Sequence, residues 1–172
     1  MARIIEKLDK IWRFSIDESD VGTEQCWYQA GLPSYKEISI PHTFNIEPET
    51  LDYRGTSWYE YRFTPNEAWD EKRVRIQFNG IYRDADIWLN GSMIGCHYNS
   101  GFTTFTIDTK GEYKIGVENI LTIKVQNNYS KKALPYGNSF DWADDGGIFR
   151  EVSFIITGKL AFDNVKMLWR LI

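Results

Sequence analysis

A chain of 172 residues is long enough for one domain to bury a core without disulfides or metals. Its formal net charge is -4, and its lysines and arginines are scattered rather than clustered, which argues against a nucleic-acid partner. No apolar run reaches the length of a membrane span, and the charged start of the chain leaves no room for a secretory signal. The sequence as given therefore predicts a cytoplasmic protein without a membrane partner, and secretion is the alternative if a signal has been removed.

Two cysteines and two histidines limit the metal and redox chemistry of the chain. Cys26 and Cys96 lie far apart and lack the paired spacing of a zinc site, so we predict reduced, buried thiols rather than a disulfide. His42 and His97 are far apart, and neither stands in the ligand spacing of a zinc site. The sequence therefore predicts no metal site of this kind and no cofactor.

Alternation of apolar and polar residues with a period of two recurs along the chain, and each such segment predicts a strand with one face toward a core. The intervening residues, such as those at 73, 75 and 77, are mostly polar, which is typical of antiparallel sheets with one solvated face. The apolar triplets are Trp12, Phe14 and Ile16; Tyr59, Tyr61 and Phe63; Val74, Ile76 and Phe78; Ala85, Ile87 and Leu89; Leu121, Ile123 and Val125; and Val152, Phe154 and Ile156.

Turn residues separate these segments. Asn79-Gly80, Asn90-Gly91 and Lys110-Gly111 tolerate positive φ, and Asn90-Gly91 is the strongest hairpin candidate. A helical pattern is scarce, and only residues 20–30 suit a short helix. The sequence therefore predicts an all-β fold, an antiparallel β-sandwich of jelly-roll type.

The segment from Pro135 to Arg150 has neither a strand nor a helix period, yet it concentrates acids, aromatics and glycines. Long loops of this kind often carry binding groups. Asp141 lies between Phe140 and Trp142, so a carboxylate that accepts hydrogen bonds from hydroxyls stands beside rings that cover the apolar face of a sugar. This pattern favours a carbohydrate partner, with Asp141, Trp142 and Phe140 as substrate-binding residues.

Two other interpretations of this loop remain open. Phe140 and Trp142 could anchor the loop to the core while the acids are solvated. Alternatively, Asp141, Asp144 and Asp145 could supply oxygen ligands to calcium, although their spacing lacks the alternating acids and central glycine of an EF-hand loop.

Glycoside hydrolysis requires two carboxyl groups across the scissile bond, and nothing in the sequence singles out such a pair. Ser-His-Asp and Cys-His arrangements and phosphate-binding glycine loops are not suggested either. We therefore predict no catalytic residue in this chain. The available acids are Glu60, Asp84, Asp86, Asp141, Asp144, Asp145 and Glu151.

Several short motifs, taken in order, resemble the N-terminal sugar-binding domain of glycoside hydrolase family 2, which includes β-galactosidases, β-glucuronidases and β-mannosidases. The resemblance implies a jelly roll of the galactose-binding-domain-like type. The motifs are Trp12-Arg13-Phe14, Pro41-His42-Thr43-Phe44-Asn45, Tyr53-Arg54-Gly55-Thr56-Ser57-Trp58-Tyr59, Phe78-Asn79-Gly80, Ala85-Asp86-Ile87-Trp88-Leu89-Asn90-Gly91 and Gly147-Ile148-Phe149-Arg150-Glu151-Val152.

The resemblance also implies roles and missing parts. Family members place an aspartate six residues before the glycine of the last motif, where it holds substrate hydroxyls, and here that position is Asp141. Their catalytic glutamates lie in a downstream barrel, after an immunoglobulin-like domain. We therefore expect a sugar-binding domain over residues 1–158, and over 159–172 either the start of that next domain or a terminal strand. A stand-alone carbohydrate-binding module and a purely structural sandwich are the alternative functions.

Overall fold

The computed structural model describes residues 3–8, 11–130, 132 and 143–161. Within these ranges the chain forms twelve strands, one short α-helix and three short 3-10 helices. The strands are β1 (Ile4–Lys7), β2 (Trp12–Asp17), β3 (Lys36–Ile38), β4 (His42–Thr43), β5 (Thr56–Phe63), β6 (Arg73–Phe78), β7 (Asp84–Leu89), β8 (Ser92–His97), β9 (Phe105–Asp108), β10 (Asn119–Gln126), β11 (Gly147–Ile148) and β12 (Val152–Thr157). The helix α1 spans Trp27–Ala30, and the 3-10 helices span Phe44–Ile46, Pro48–Thr50 and Glu67–Trp69.

Two antiparallel sheets pack face to face. One has the strand order β1-β12-β6-β9 and the other β3-β2-β5-β10-β7-β8, while β4 and β11 form a separate pair. The six predicted apolar triplets face the space between the sheets, and all of their side chains are buried there except the half-buried Ile16. The predicted antiparallel β-sandwich is therefore confirmed.

The turn predictions have different outcomes. Asn90 and Gly91 have positive φ values of 51° and 84° and close the hairpin between β7 and β8, and Lys110-Gly111 also turns with positive φ. Neither residue of Asn79-Gly80 has positive φ, because this connection crosses from one sheet to the other instead of closing a hairpin. The helix expected over residues 20–30 is reduced to α1, and turns occupy residues 22–26.

The outer face of the six-stranded sheet is not solvated as the alternation suggested. Residues 20–34 fold across it, and Trp27 and Leu32 pack there against Trp58 of β5 and Trp88 of β7. The Trp58 and Trp88 rings stack with centroids 5.5 Å apart. Sequence alternation cannot reveal this second apolar cluster, since a loop distant along the chain supplies its cover.

Strand pairing brings the long connections together at one end of the sandwich. Gln126 at the end of β10 pairs with Thr56 at the start of β5 and with Asp84 at the start of β7. Ala85 in turn pairs with His97 at the end of β8. The connections 44–55, 79–83 and 98–104 therefore meet at this end, together with the described residues 127–130 and 143–146 of the connection between β10 and β11. We call this end the loop end.

Cys26 and Cys96 are both free thiols, as predicted, but Cys26 is half-buried and Cys96 is exposed on the edge strand β8, so the expected burial is wrong.

Phe140, Asp141, Trp142 and residues 162–172 lie outside the described residues. Within the described ranges, no helix is long and apolar enough to cross a membrane.

Candidate functional site

The last of the quoted motifs, residues 147–152, begins at the loop end with the short strand β11. It pairs with β4, with Gly147 opposite Thr43 and Ile148 opposite His42. On its other side, Gly147 exchanges two backbone hydrogen bonds of 2.9 Å with Tyr82. Two distant segments of the chain thus hold the backbone that follows the predicted sugar-binding residues.

Asp144 lies three residues before Gly147, and its carboxylate is buried. The Tyr82 hydroxyl donates to Oδ1 over 2.5 Å, and Arg54 Nη1 donates to Oδ2 over 2.5 Å. Burial, and next the hydrogen bond to Asp144, raise the pKa of Tyr82, so the phenol keeps the proton that it donates. A buried carboxylate is stable only when both oxygens are compensated, and here each oxygen has a donor.

Two buried amide side chains bind the backbone around Asp144. Asn127 Nδ2 donates to the Asp144 carbonyl over 3.0 Å, and the Gly146 N–H donates to Asn45 Oδ1 over 2.8 Å. Asn45 Nδ2 also binds the carbonyls of Thr50 and Tyr53, each over 2.8 Å. These amides tie the segment 144–146 to the connection between β4 and β5.

Arg54 lies at the rim of this arrangement, with one-third of its side chain exposed. Its guanidinium lies 4.0 Å from the centre of the Tyr129 ring, while Nη1 binds Asp144. Beside it is a surface depression of about 130 Å³, lined in part by Asn45, Leu51 and Arg54. The loop end therefore has a small polar hollow beside the Arg54 guanidinium.

His42 lies behind β11 in contact with the core. Its Nδ1 is 2.9 Å from the Tyr59 hydroxyl, and its ring packs at 4.7 Å from that of Phe14. Burial, with a smaller contribution from the Lys36 ammonium, lowers the pKa of His42 to about 4. The imidazole is therefore neutral at pH 7.

This pKa predicts a loss of stability in mild acid. Because the folded pKa lies below the unfolded value of about 6.5, the unfolded chain binds a proton that the folded chain does not, and stability falls as pH drops from 6.5 toward 4. After discounting for the partial exposure of the ring, we expect a loss of about 1 kcal/mol between pH 7 and 5. Urea unfolding at a series of pH values measures it.

The matched variants for this titration replace each imidazole in turn. The loss should disappear in His42→Gln and persist in His97→Gln, because only the first variant removes the buried ring next to Tyr59. An unchanged pH dependence in His42→Gln would contradict the assignment.

The sequence-predicted site is only partly within the described structure. Phe140, Asp141 and Trp142 stay predictions, and the described structure begins again at Ala143. Of the other acids in that loop, Asp145 is exposed, whereas Asp144 is buried and bonded rather than solvated. The Arg54 and Tyr82 donors leave Asp144 poorly suited to calcium, and within the described ranges no group of three or more His, Cys, Asp or Glu could hold a metal ion.

Sequence reasoning did not identify Asn45, Arg54, Tyr82, Asn127 and Asp144 as a connected group. Asn45 and Arg54 stand in two of the quoted motifs and Asp144 stands in the acidic loop, but a motif that is local in sequence does not indicate its partners in space. The sequence does contain one sign of this group, the polar residues Tyr82-Arg83-Asp84 at the entry to the buried strand β7. Buried polar side chains need hydrogen-bond partners, and the loop end supplies them.

Two of the acids considered for glycoside hydrolysis, Glu60 and Asp84, form contacts within the fold. The Glu60 carboxylate is buried on the outer face of the six-stranded sheet and binds Arg13 over 3.0 Å and Arg62 over 2.7 Å. Asp84 accepts from the Asn99 N–H over 2.7 Å. A buried carboxylate that binds two guanidinium groups is a structural ion pair.

An antiparallel sandwich whose long connections meet around a polar hollow defines a class of β-domain that presents binding loops on a rigid scaffold. Comparison with known proteins assigns the particular member of this class. The model of "Glycosyl hydrolases family 2, sugar binding domain" matches residues 5–158, so the chain belongs to this family as a sugar-binding domain. The resemblance seen in the motifs is confirmed.

Individual relatives are glycosidases. The chain is 30% identical over 154 residues to a β-galactosidase of Thermoanaerobacter pseudethanolicus, covering 87% of this chain and 19% of that protein. A β-glucuronidase of an uncultured Clostridium sp. has a similar structure, with a TM-score of 0.83 and 31% identity over 92% of this chain and 30% of that one. A Ruminococcus gnavus β-glucuronidase solved with D-glucuronic acid matches with a TM-score of 0.82 and 26% identity, over 90% of this chain and 29% of that one. The chain thus spans a fifth to a third of the length of these relatives.

Proposed function

We propose that this domain is the non-catalytic sugar-binding part of a glycosidase that hydrolyses the O-glycosidic bonds of β-glycosides. In this proposal it helps to shape a substrate pocket whose catalytic carboxylates lie in a barrel domain further along the protein. The observation that carries the proposal is the family match over residues 5–158 together with the small share of each β-galactosidase and β-glucuronidase that the chain covers.

Asp141 is the residue that we propose to hold the sugar, with Trp142 and Phe140 beside it. Its place in the chain supports this role, since it stands three residues before the anchored Asp144 and six before Gly147 at the loop end. A carboxylate accepts hydrogen bonds from two neighbouring hydroxyls at once, and such charged bonds contribute about 1.5–3 kcal/mol each.

The test uses the longer protein that contains this domain, with aryl β-galactosides and aryl β-glucuronides as substrates. Asp141→Ala should lower kcat/KM about 10- to 100-fold, because it removes one or two charged hydrogen bonds to the sugar. Asp70→Ala is the matched control, since it removes an exposed carboxylate at the opposite end of the sandwich.

Two outcomes would contradict the proposal. A protein that hydrolyses none of these glycosides would exclude the enzyme, and heat of sugar binding by the isolated chain would then favour a stand-alone binding module. Wild-type kinetics of Asp141→Ala on both substrates would exclude the proposed role of Asp141 and leave the proposed glycosidase intact.

A further inference from the structure

We propose that a depression at the edge of the six-stranded sheet, between β2 and the start of β3, is a second carbohydrate site, where a neutral sugar ring stacks on Tyr35. β3 pairs with Trp12–Phe14 of β2, whereas β5 pairs with Arg13–Asp17. The edge of β2 is therefore not covered by β3 at Ser15 and Ile16. A depression of about 400 Å³ lies there, within the size range of small-molecule sites.

Tyr35 supplies the flat surface of this site, and its ring is held from one side. Tyr35 is 45% exposed, and the Arg13 guanidinium lies 4.3 Å from the centre of its ring. The buried Glu60 carboxylate binds Arg13 over 3.0 Å and accepts from the Leu32 N–H over 3.3 Å. One carboxylate thus anchors both the cation and the chain that leads to Tyr35. Because the guanidinium occupies one face of the ring, a ligand would stack on the opposite face.

An ion pair beside the ring offers the polar groups that sugar hydroxyls need. Lys36 donates to the Glu47 carboxylate, and the two side chains are 42% and 45% exposed. The hydrogen bond from Lys36 lowers the pKa of Glu47, so this carboxylate is charged at pH 7. The pair therefore presents a donor and an acceptor to neighbouring hydroxyls of one sugar. Ser34 and Thr50, both hydroxyl residues, also line the depression.

The charges of the depression favour a neutral ligand. Its lining residues carry one cation, Lys36, and one anion, Glu47, which bind each other. A phosphate needs an excess of positive charge that this pair does not provide, and the formal net charge of -4 adds to the repulsion. A neutral sugar needs only a ring to cover its apolar face and groups that bind its hydroxyls. The depression therefore suits a neutral saccharide better than a nucleotide or a sugar acid.

This depression is distinct from the polar hollow beside Arg54. The two have no lining residue in common, although both border the connection 44–55. A substitution of Tyr35 therefore leaves the lining of the hollow unchanged, so binding at the two places can be measured separately.

The experiment titrates the 172-residue chain with lactose and with cellobiose and follows the backbone amide shifts by NMR. We expect a dissociation constant on the order of 1 mM, since one ring and a few exposed hydrogen bonds only just exceed the cost of association. The shifts should centre on Ser34, Tyr35, Lys36 and Thr50. Sorbitol is the matched ligand and should cause no shifts, because it has hydroxyls but no ring face. AMP is the probe for a nucleotide.

Variants of one tyrosine test the stacking surface. Tyr35→Ala should weaken disaccharide binding about tenfold, because it removes the ring. Tyr35→Phe keeps the ring and should bind within about twofold of the wild type. Tyr98→Ala is the matched control, since Tyr98 is 50% exposed and does not line the depression. Thermal melting should place all three variants within a few degrees of the wild type.

Each outcome has one meaning for the proposal. Disaccharide-induced shifts around Tyr35 that weaken in Tyr35→Ala and persist in Tyr98→Ala support it. No shifts at ten times the expected dissociation constant, or equal shifts with sorbitol, overturn it. Shifts that persist in Tyr35→Ala, or that centre on Asn45 and Arg54, overturn the site at Tyr35. Tighter binding of AMP than of either disaccharide overturns the choice of a neutral sugar. The kinetics of Asp141→Ala are independent of all these outcomes.

Discussion

Gly147→Ala is expected to destabilise the 172-residue chain by about 3 kcal/mol or more, because the position combines an unfavourable backbone angle with a direct clash. Its φ of +143° lies in a region that side chains rarely adopt. A Cβ at this position would lie 2.3 Å from the His42 carbonyl oxygen and 3.0 Å from the Tyr59 hydroxyl. Neither neighbour can withdraw, since His42 is paired to β11 and Tyr59 is fully buried.

Gly111→Ala is the matched control for this variant. Gly111 also has a positive φ, of +79°, but nothing lies within 4 Å of the position that its Cβ would take. We expect a cost of about 1 kcal/mol from the backbone angle alone. Urea unfolding of both variants separates the backbone angle from the clash, and equal losses would mean that β4 can move away from β11.

The sandwich was predictable from sequence because its strands follow a local rule. Each apolar triplet alternates within one strand. The core side of a strand can therefore be assigned without knowing which strands it pairs with, as in the segments Val74 to Phe78 and Leu121 to Val125. The hairpin at Asn90-Gly91 is equally local. By contrast, the burial of Trp58 depends on the loop residues 20–34, and no local pattern reports that contact.

The candidate site was less predictable for the same reason. Arg54 and Asp144 are separated by 90 residues, and Asn45 and Gly146 by 101, so their bonds form only when strand pairing brings the connections to one end. The composition of the acidic loop predicts either a solvated carboxylate or a calcium ligand at Asp144. The fold instead buries this carboxylate against an arginine from another connection, which sequence spacing alone could not indicate.

Asn45→Ala is expected to destabilise the chain by about 2–4 kcal/mol, because it leaves several buried backbone groups without their partner. Asn45 is only 5% exposed, and its amide serves both the Gly146 N–H and the Thr50 and Tyr53 carbonyls. Water in the adjacent depression can replace some of these bonds, which keeps the loss below the sum of its parts. Asn66→Ala, at an exposed helix cap, should cost about 1 kcal/mol.

Asn45→Asp tests whether the donor half of this amide is the part that matters. The variant keeps an oxygen for the Gly146 N–H but turns a second oxygen toward the Thr50 and Tyr53 carbonyls, so at pH 7.5 it should be less stable than Asn45→Ala. Burial and these carbonyls raise the pKa of the new carboxyl above its unfolded value, so the folded state gains stability as pH falls and the group protonates. Measured against the wild type at each pH by urea unfolding, the gap between the two variants should therefore narrow toward pH 5. A gap that stays constant would mean that water, rather than the Asn45 amide, satisfies the carbonyls of Thr50 and Tyr53.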